Sequence, residues 1–317
     1  MRIVQKFGGS SLADRDCLLR AAGLILEAAR RGQHPVAVVS AAGDSTDELI
    51  AQALSLCPHP SARELDALLA TGEQRSAALM AITLERFGAP ARSFSGWQAG
   101  LYTEETHGDA HVTHIEPDRL LRALEAGEIP VVAGFQGLTP RGEVSTLGRG
   151  GSDTTAVALA AALKADRCEI YTDVDGIYTA DPRLVPEARL LPAIDRRDML
   201  ALAEGGSQVL HAESLRVAAL SDQKLRLLST FTGSAGTVVH LLPEAERPAL
   251  AGVTRDAEKH TVTLAGRAAP GSAATALAAL HGAGIEASAE DIGENSVRFI
   301  VRPGQELDAL RLLHGMI

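Results

Sequence analysis

The chain has 317 residues, 46% of them hydrophobic, which is enough for about two domains that each bury a core. Its formal net charge of -10 and its low aromatic content of 3% argue against nucleic acid or an anionic membrane as the main partner. The cysteines Cys17, Cys57 and Cys168 form no CxxC pair and no even disulfide set. No export signal is recognisable, and the most apolar stretch, residues 154–163, is too short to span a bilayer. We therefore expect a cytoplasmic protein without a nucleic-acid or membrane partner.

Short β-branched runs alternate with longer helical stretches, which predicts a parallel α/β sheet. In chain order, strands are predicted at residues 2–7, 35–40, 129–135 and 168–172, and helices at 15–31, 46–56, 61–87 and 152–162. Ser61 and Glu64 have the spacing of a capping box and predict the start of the long third helix. Prolines interrupt the pattern at residues 241–248, which suggests a linker after a first domain of residues 1–240.

The pattern changes after residue 260. It predicts a strand at 261–264, a helix at 272–281, strands at 286–291 and 296–302, and a helix at 306–314. This βαββα order is one strand short of a ferredoxin-like βαββαβ unit. We therefore predict a small, incomplete α+β domain over residues 248–317.

Two glycine-containing turns follow predicted strands, where ligands collect in α/β sheets. In KFGGSS, Gly8 and Gly9 let the backbone approach an anion closely, and Lys6 adds a positive charge. Taken alone, the glycine pair is explained better by an ordinary turn. In VVSAAGDSTDEL, the hydroxyls of Ser40 and Thr46 can hold a substrate, although capping of the next helix is an alternative role.

Two further segments carry polar residues beside a strand or helix end. In STLGRGGSDTTA, glycines surround Arg149, whose guanidinium suits a carboxylate, and the following helix carries Asp153. An exposed loop arginine is the alternative. In YTDVDGIYTADPR, turn chemistry explains the Asp-Gly and Asp-Pro pairs, and Tyr178 fits either a nucleotide base or the core.

Taken together and in this order, these segments resemble the aspartokinases of the amino acid kinase family. The segments LLATGEQ, SGWQAG and VVAGFQG add to the resemblance, which is nearly continuous to about residue 237. It implies an amino acid kinase-like sandwich around a mainly parallel sheet, followed by a ferredoxin-like ACT domain that is incomplete. It also implies conversion of L-aspartate and ATP to 4-phospho-L-aspartate and ADP, with Mg²⁺, as the first step of lysine, threonine and methionine biosynthesis.

The resemblance also implies roles for individual residues. Lys6 matches the lysine that stabilises the transferring phosphoryl group, and Asp153 matches the aspartate that positions this lysine. The positions matching the aspartate site are Ser40, Thr46, Glu73 and Arg149, with Glu73 facing the α-amino group and Arg149 a carboxylate. The positions matching the ATP site are Gly8, Gly9, Ser10, Thr172, Asp173, Tyr178 and Arg183. Magnesium would bridge phosphates, so no protein metal ligand is predicted.

The chain departs from the family pattern in several places. Gln208 stands where some members have a lysine that contacts ATP, Ala212 replaces a proline, and Ser10 replaces a threonine. Aspartokinases usually carry two ACT units, whereas this chain has room for about one. We expect a homodimer with weak or lost inhibition by lysine or threonine, and the sequence leaves open whether a separate regulatory subunit completes the ACT pair.

Two other functions compete with this interpretation. One is an amino acid kinase with a different acceptor, such as glutamate or N-acetylglutamate, and the GRGGSD and SGWQAG segments favour aspartate over these. The other is an amino-acid sensor that keeps the kinase fold without catalysis. The presence of Lys6, Asp153, Arg149 and Glu73 argues against a sensor.

Overall fold

A computed structural model describes residues 1–317. The nine α-helices are α1 (Arg15–Arg30), α2 (Ser45–Leu56), α3 (Ala62–Arg86), α4 (Asp118–Glu125), α5 (Gly151–Ala162), α6 (Arg196–Glu204), α7 (Ala212–Leu220), α8 (Ala273–Gly282) and α9 (Glu306–His314). The strands are β1 (Arg2–Phe7), β2 (His34–Val39), β3 (Ala91–Phe94), β4 (Leu101–Thr103), β5 (Val112–Ile115), β6 (Ile129–Ala133), β7 (Gln136–Leu138), β8 (Val144–Thr146), β9 (Arg167–Thr172), β10 (Ala193–Asp195), β11 (Leu225–Ser229), β12 (Thr237–His240), β13 (Gly252–Asp256), β14 (Thr261–Ala265), β15 (Ala287–Ile292) and β16 (Ser296–Val301). None of the helices combines the length and the apolar character that crossing a bilayer requires.

The chain forms two compact units. Unit 1 contains residues 1–173 and 217–233, and unit 2 contains residues 174–216 and 234–317. The larger sheet of unit 1 has six parallel strands in the order β11-β9-β1-β2-β6-β3. The apolar strands β2 and β6 are buried along almost their whole length, as expected for strands covered on both faces. The parallel α/β sheet predicted from the alternating pattern is confirmed.

Helices cover both faces of this sheet. Helices α1 and α3 pack with Phe7, Val39 and Val131 in one buried apolar cluster. Helix α5 contacts β1 and β9. Phe7 points toward α1 and α3, whereas the preceding residue, Lys6, points to the opposite face and pairs with α5, so α5 covers that other face. The side chain of Ser61 accepts a hydrogen bond from the Glu64 N–H at the start of α3, so the predicted helix start is confirmed.

A second, four-stranded sheet in unit 1 has the order β5-β4-β7-β8. Strands β4 and β7 are parallel, and the outer pairs are antiparallel. Each strand has only three or four residues, too few for a hydrophobic period to show in the sequence. This sheet matters for the candidate site because β8 leads directly into the loop that carries Arg149.

Unit 2 contains a four-stranded antiparallel sheet in the order β13-β14-β16-β15. Its core includes Leu264, Leu280, Phe299 and Leu313, so the sheet packs with α8 and α9. The predicted βαββα order from β14 to α9 is confirmed. Strand β13 precedes the βαββα segment in the chain and pairs antiparallel with β14, so it covers the β14 side of the sheet and becomes one of its two edge strands.

The segment 241–248 is anchored within unit 2. Arg247 is only 5% exposed, and its Nη2 lies 2.6 Å from Oδ1 of buried Asp198. Its Nη1 also contacts Glu244 at 3.0 Å. Breaking this buried ion pair would leave a charge without a partner, which is destabilising. The segment is therefore fixed to the rest of unit 2. The two compact units have other boundaries than the predicted domains of residues 1–240 and 248–317. The division into a catalytic and a regulatory domain stays a prediction.

Candidate active site

Lys6 and Asp153 form an ion pair at the carboxyl end of the large parallel sheet. The Lys6 Nζ lies 2.6 Å from the Asp153 Oδ1, and the two side chains are 12% and 7% exposed. Asp153 lies in the first turn of α5, where the helix dipole favours a carboxylate. An ammonium has three donors, so Lys6 keeps donors for a ligand while Asp153 holds it. The structure therefore brings together the two residues predicted to be catalytic.

The Gly8-Gly9 turn lies directly beside this pair. Gly8 donates from its N–H to the Tyr171 carbonyl at 3.3 Å, and a Cβ at Gly8 would lie 3.4 Å from the Lys6 Nζ. The N–H groups of Gly9 and Ser10 are not used in hydrogen bonds within the chain. Free N–H groups close to a lysine are typical of a phosphate-binding turn.

Replacing Gly9 by alanine is expected to lower both stability and activity. A Cβ at Gly9 would lie 2.9 Å from the Ala41 carbonyl oxygen and 3.2 Å from that of Gly43, so the turns after β1 and β2 would have to separate. We expect the free energy of unfolding to fall by about 1–3 kcal/mol, measured by urea denaturation. The matched control is Gly23→Ala on the exposed side of α1, where a Cβ meets nothing within 4 Å and should stabilise the helix by about 0.5–1 kcal/mol. Equal stability of the two variants would contradict this account of the turn.

Glu73 presents a buried carboxylate with one unpaired oxygen. The residue is 4% exposed, its Oε1 accepts a hydrogen bond of 2.9 Å from the Ala41 N–H, and its Oε2 has no partner. Burial raises the pKa of this carboxyl to about 7, against the opposing effect of the Ala41 hydrogen bond. A buried carboxylate that lacks a counter-charge is suited to a cationic ligand group.

The loop after β8 presents Arg149 to solvent. Gly148 and Gly150 flank it with φ angles of +67° and +76°, in the left-handed region that glycine adopts without strain. Arg149 is exposed and makes no hydrogen bond or ion pair within the chain. The guanidinium is therefore available for an anionic group.

Ser40 and Thr46 lie at the end of β2 and the start of α2. Ser40 donates from its N–H to the Phe7 carbonyl at 3.1 Å, which joins the ends of β1 and β2, and both residues are half-buried. The turn-stabilising hydrogen bond comes from Ser45 instead, whose hydroxyl donates to the Ala42 carbonyl at 2.6 Å. Ser40 therefore lies at the same carboxyl end of the sheet as Lys6, and Thr46 lies in the first turn of the helix that follows β2.

The predicted ATP-site residues divide between the two units. In unit 1, the Thr172 hydroxyl at the end of β9 donates to Asp173 at 3.0 Å, and Ser10 is exposed. In unit 2, Tyr178 forms a β-bridge with Leu190. Arg183 pairs with Asp181 at 2.7 Å and lowers the pKa of that carboxyl. Gln208 is exposed within unit 2.

Sequence reasoning missed two buried polar residues near the site. Ser11, next to the predicted Ser10, forms a 2.7 Å hydrogen bond with Thr230, and this contact holds the turn after β1 against the end of β11. Asp66 on α3 is 1% exposed and bonds to the segment that leads to Arg149. A signal existed for Asp66, because an acidic residue among the leucines of a buried helix needs polar partners.

A lysine-carboxylate pair beside a glycine turn, at the carboxyl ends of parallel strands, defines a site for a small anionic ligand. A family model described as "Amino acid kinase family" matches residues 1–229. The chain belongs to this family.

The relatives that it resembles are aspartokinases. It is 49% identical over 237 residues to the aspartokinase of Geobacillus stearothermophilus, covering 75% of this chain and 58% of the relative. It is 46% identical over 288 residues to that of Corynebacterium glutamicum, covering 89% of this chain and 68% of the relative. The crystal structure of aspartate kinase from Synechocystis matches with a TM-score of 0.70 and 38% identity, covering 98% of this chain and 54% of that one. The chain thus spans little more than half the length of some relatives.

Proposed function

We propose that the chain transfers the γ-phosphoryl group of ATP to the β-carboxylate of L-aspartate, forming 4-phospho-L-aspartate and ADP. The observation that carries this proposal is the ion pair of Lys6 and Asp153 beside the free N–H groups of the Gly8-Gly9 turn. The similarity to aspartokinases supports the choice of acceptor. The reaction would begin the biosynthesis of lysine, threonine and methionine.

The proposed reaction needs positive charge more than acid-base chemistry. A β-carboxylate is already ionised at neutral pH, so no general base has to activate it. The barrier comes from bringing two anions together and from charge on the transferring group. Lys6, held by Asp153, would stabilise that charge together with the backbone donors of Gly9 and Ser10.

Aspartate recognition would use charges of opposite sign. The unpaired Oε2 of Glu73 would accept a hydrogen bond from the α-ammonium group of aspartate. Arg149 would bind a carboxylate of the substrate through two parallel hydrogen bonds. Ser40 and Thr46 would add hydroxyl donors at the same sheet edge. This arrangement distinguishes an amino acid from N-acetylglutamate, whose nitrogen carries no charge.

ATP would lie over the glycine turn of unit 1, close to Thr172 and Asp173 at the end of β9. Contacts of Tyr178 and Arg183 with ATP stay a prediction from the family resemblance. Mg²⁺, when bound with the nucleotide, would neutralise part of the phosphate charge. No three or more His, Cys, Asp or Glu side chains are arranged to hold a metal ion together, and Asp153 is paired with Lys6. Phosphate oxygens and water would therefore supply most of the ligands of the ion, which suits its preference for oxygen.

Release of ADP by the purified chain tests this function. The assay couples ADP to NADH oxidation with L-aspartate, L-glutamate and N-acetylglutamate as acceptors, and hydroxylamine traps the acyl phosphate. We expect turnover with aspartate and a hydroxamate product. Turnover with glutamate or N-acetylglutamate alone would identify a different acceptor, and aspartate binding without turnover would favour a sensor.

Arg149→Ala is expected to weaken aspartate binding selectively. Losing a bidentate charge-assisted interaction should raise the KM for aspartate about 10- to 100-fold, whereas the KM for ATP should change less than about twofold. Arg149→Lys should recover only part of the loss, because an ammonium cannot form the planar pair. An unchanged KM for aspartate, or a parallel rise for ATP, would remove Arg149 from the aspartate site.

We also infer a homodimer in a reducing, cytoplasmic compartment. Strand β15 forms an edge of the unit 2 sheet, most of its residues are exposed, and a symmetric partner would cover it. The inferred cytoplasmic location is supported by the cysteines, since all three are free thiols, as is usual in a reducing compartment. Weak or lost inhibition by lysine or threonine stays a prediction, as does a separate regulatory subunit that completes an ACT pair. Light scattering and a lysine and threonine titration test these points.

A further inference from the structure

Asp66 forms hydrogen bonds with two segments that are distant from it in the chain, residues 107–108 and the end of β8. The residue is 1% exposed and lies near the start of α3. Its Oδ1 accepts a 2.6 Å hydrogen bond from the Thr146 hydroxyl, and its Oδ2 accepts from the N–H groups of Thr146 and Gly108, both at 3.0 Å. The His107 Nδ1 lies 3.0 Å from the same Oδ2. One buried carboxylate thus joins α3, the loop around residue 108 and the end of β8.

These bonds hold the base of the loop that carries Arg149. Thr146 is the last residue of β8, and its carbonyl also accepts a 2.9 Å hydrogen bond from the Ala110 N–H. Two residues later, Gly148 packs so closely on Asp109 that a Cβ there would lie 2.2 Å from the Asp109 Oδ1. The backbone that leads to Arg149 is therefore held by Asp66 on one side and by residues 109–110 on the other.

The same helix carries Glu73 two turns further on. Residues 66 and 73 are seven positions apart, so their side chains lie on one face of α3. Both are buried carboxylates, in contrast to the exposed Glu85 on the same helix. Glu73 holds the turn after β2 through Ala41, and Asp66 holds the strand before Arg149. A single rigid element thus sets the separation of the two predicted binding charges.

We propose that Asp66 is a positioning residue that fixes Arg149 relative to Glu73 and so sets the affinity for the amino-acid substrate. It touches no substrate itself, and this inference rests on the proposed function of the site. A helix positions charged groups accurately because its backbone is rigid, and small displacements of such groups cost much of their binding energy.

A direct structural test uses trypsin, which cleaves after arginine or lysine in mobile segments and does not require any activity of the chain. In the wild-type protein, the anchored loop should resist cleavage. In Asp66→Ala, release of β8 should accelerate cleavage between Arg149 and Gly150 by about tenfold, giving fragments 1–149 and 150–317. An unchanged cleavage rate would overturn the proposed anchoring.

The kinetic test compares three variants after the wild-type reaction with aspartate has been measured. Asp66→Ala should raise the KM for aspartate about tenfold and leave the KM for ATP within about twofold. Asp66→Asn should recover most of the affinity, since its amide oxygen can accept both N–H groups and its NH₂ can donate to the Thr146 hydroxyl. The control is Asp198→Asn, which disturbs the buried ion pair with Arg247 in unit 2 and should lower stability without changing the KM for aspartate.

The outcomes separate this inference from the proposed function. No aspartate-dependent turnover by the wild type would contradict the function itself, and the trypsin result would still report on the anchoring. Active Asp66→Ala with an unchanged KM for aspartate and lower stability would show a purely structural residue and overturn the proposal. If Asp66→Ala does not fold, Thr146→Val removes one bond to Asp66 at nearly constant volume. An unchanged KM and cleavage rate in that variant would also overturn it.

Discussion

Lys6→Ala is expected to lower kcat for aspartate phosphorylation by about three orders of magnitude, or about 4 kcal/mol in the barrier. The Lys6 ammonium lies beside the glycine turn, since a Cβ at Gly8 would be 3.4 Å from its Nζ, and it pairs with the Asp153 Oδ1 at 2.6 Å. Its loss removes stabilisation that develops mainly in the transition state, so kcat should fall more than the KM for ATP rises. Steady-state kinetics with both substrates measure the two effects.

The matched control is Lys259→Ala, which removes a lysine that is also ion-paired, with Asp256, but lies in unit 2. It should leave kcat unchanged. Lys6→Ala also leaves the buried Asp153 carboxylate without its partner, which lowers the stability of the protein. The double variant Lys6→Met with Asp153→Asn removes both charges and separates this effect from catalysis. A folded double variant with wild-type kcat would show that the pair has no part in the reaction.

Aspartate binding is expected to strengthen as the pH rises through about 7. Burial raises the Glu73 pKa to about 7, so the carboxylate that would accept the α-ammonium is largely protonated below that pH. At pH 6 only about a tenth of the free protein is ionised at Glu73, and the apparent affinity should be about tenfold weaker than at pH 8. At pH 7 binding should release about half a proton, detected by calorimetry in buffers of different ionisation enthalpy.

Glu73→Gln should remove this pH dependence and raise the KM for aspartate about 10- to 100-fold, because a charge-assisted hydrogen bond is lost. The control is Glu85→Gln, an exposed glutamate on the same helix, which should keep the wild-type profile. A wild-type profile that stays flat between pH 6 and 8 would mean that Glu73 does not face the substrate ammonium.

Stability should show the opposite pH trend in the absence of substrate. The folded pKa of Glu73 lies above the ordinary value of 4.5, so folding is favoured by protonation. This contribution is fully present below pH 4.5 and is lost as the pH rises through about 7, where ionised Glu73 costs on the order of 3 kcal/mol. Urea denaturation of the wild type and Glu73→Gln at several pH values should show the variant gaining relative stability with rising pH.

Local patterns in the chain were sufficient for most of the large sheet and for the core elements of the C-terminal unit. Long helices such as α3 show a helical period over many residues, and β2 and β6 are short apolar runs between turn residues. The strands of only three or four residues, β3, β4, β5, β7, β8, β10 and β12, were not predicted, because so few residues contain too little periodicity. The five-residue strand β11 was not predicted either. Their pairing depends on partners that are distant in the chain.

The sequence by itself determined the residue types at the site, since glycine turns after strands and the polar residues beside them depend on local geometry and on an ordered resemblance. The family resemblance also implied that Asp153 positions Lys6, 147 positions away, and the tertiary structure gave the geometry of that pair. Only the tertiary structure left one Glu73 oxygen buried without a partner and joined Asp66 to Thr146. These features arise from packing between distant segments, where burial sets the pKa and the available partners of each charge, and no local pattern encodes them.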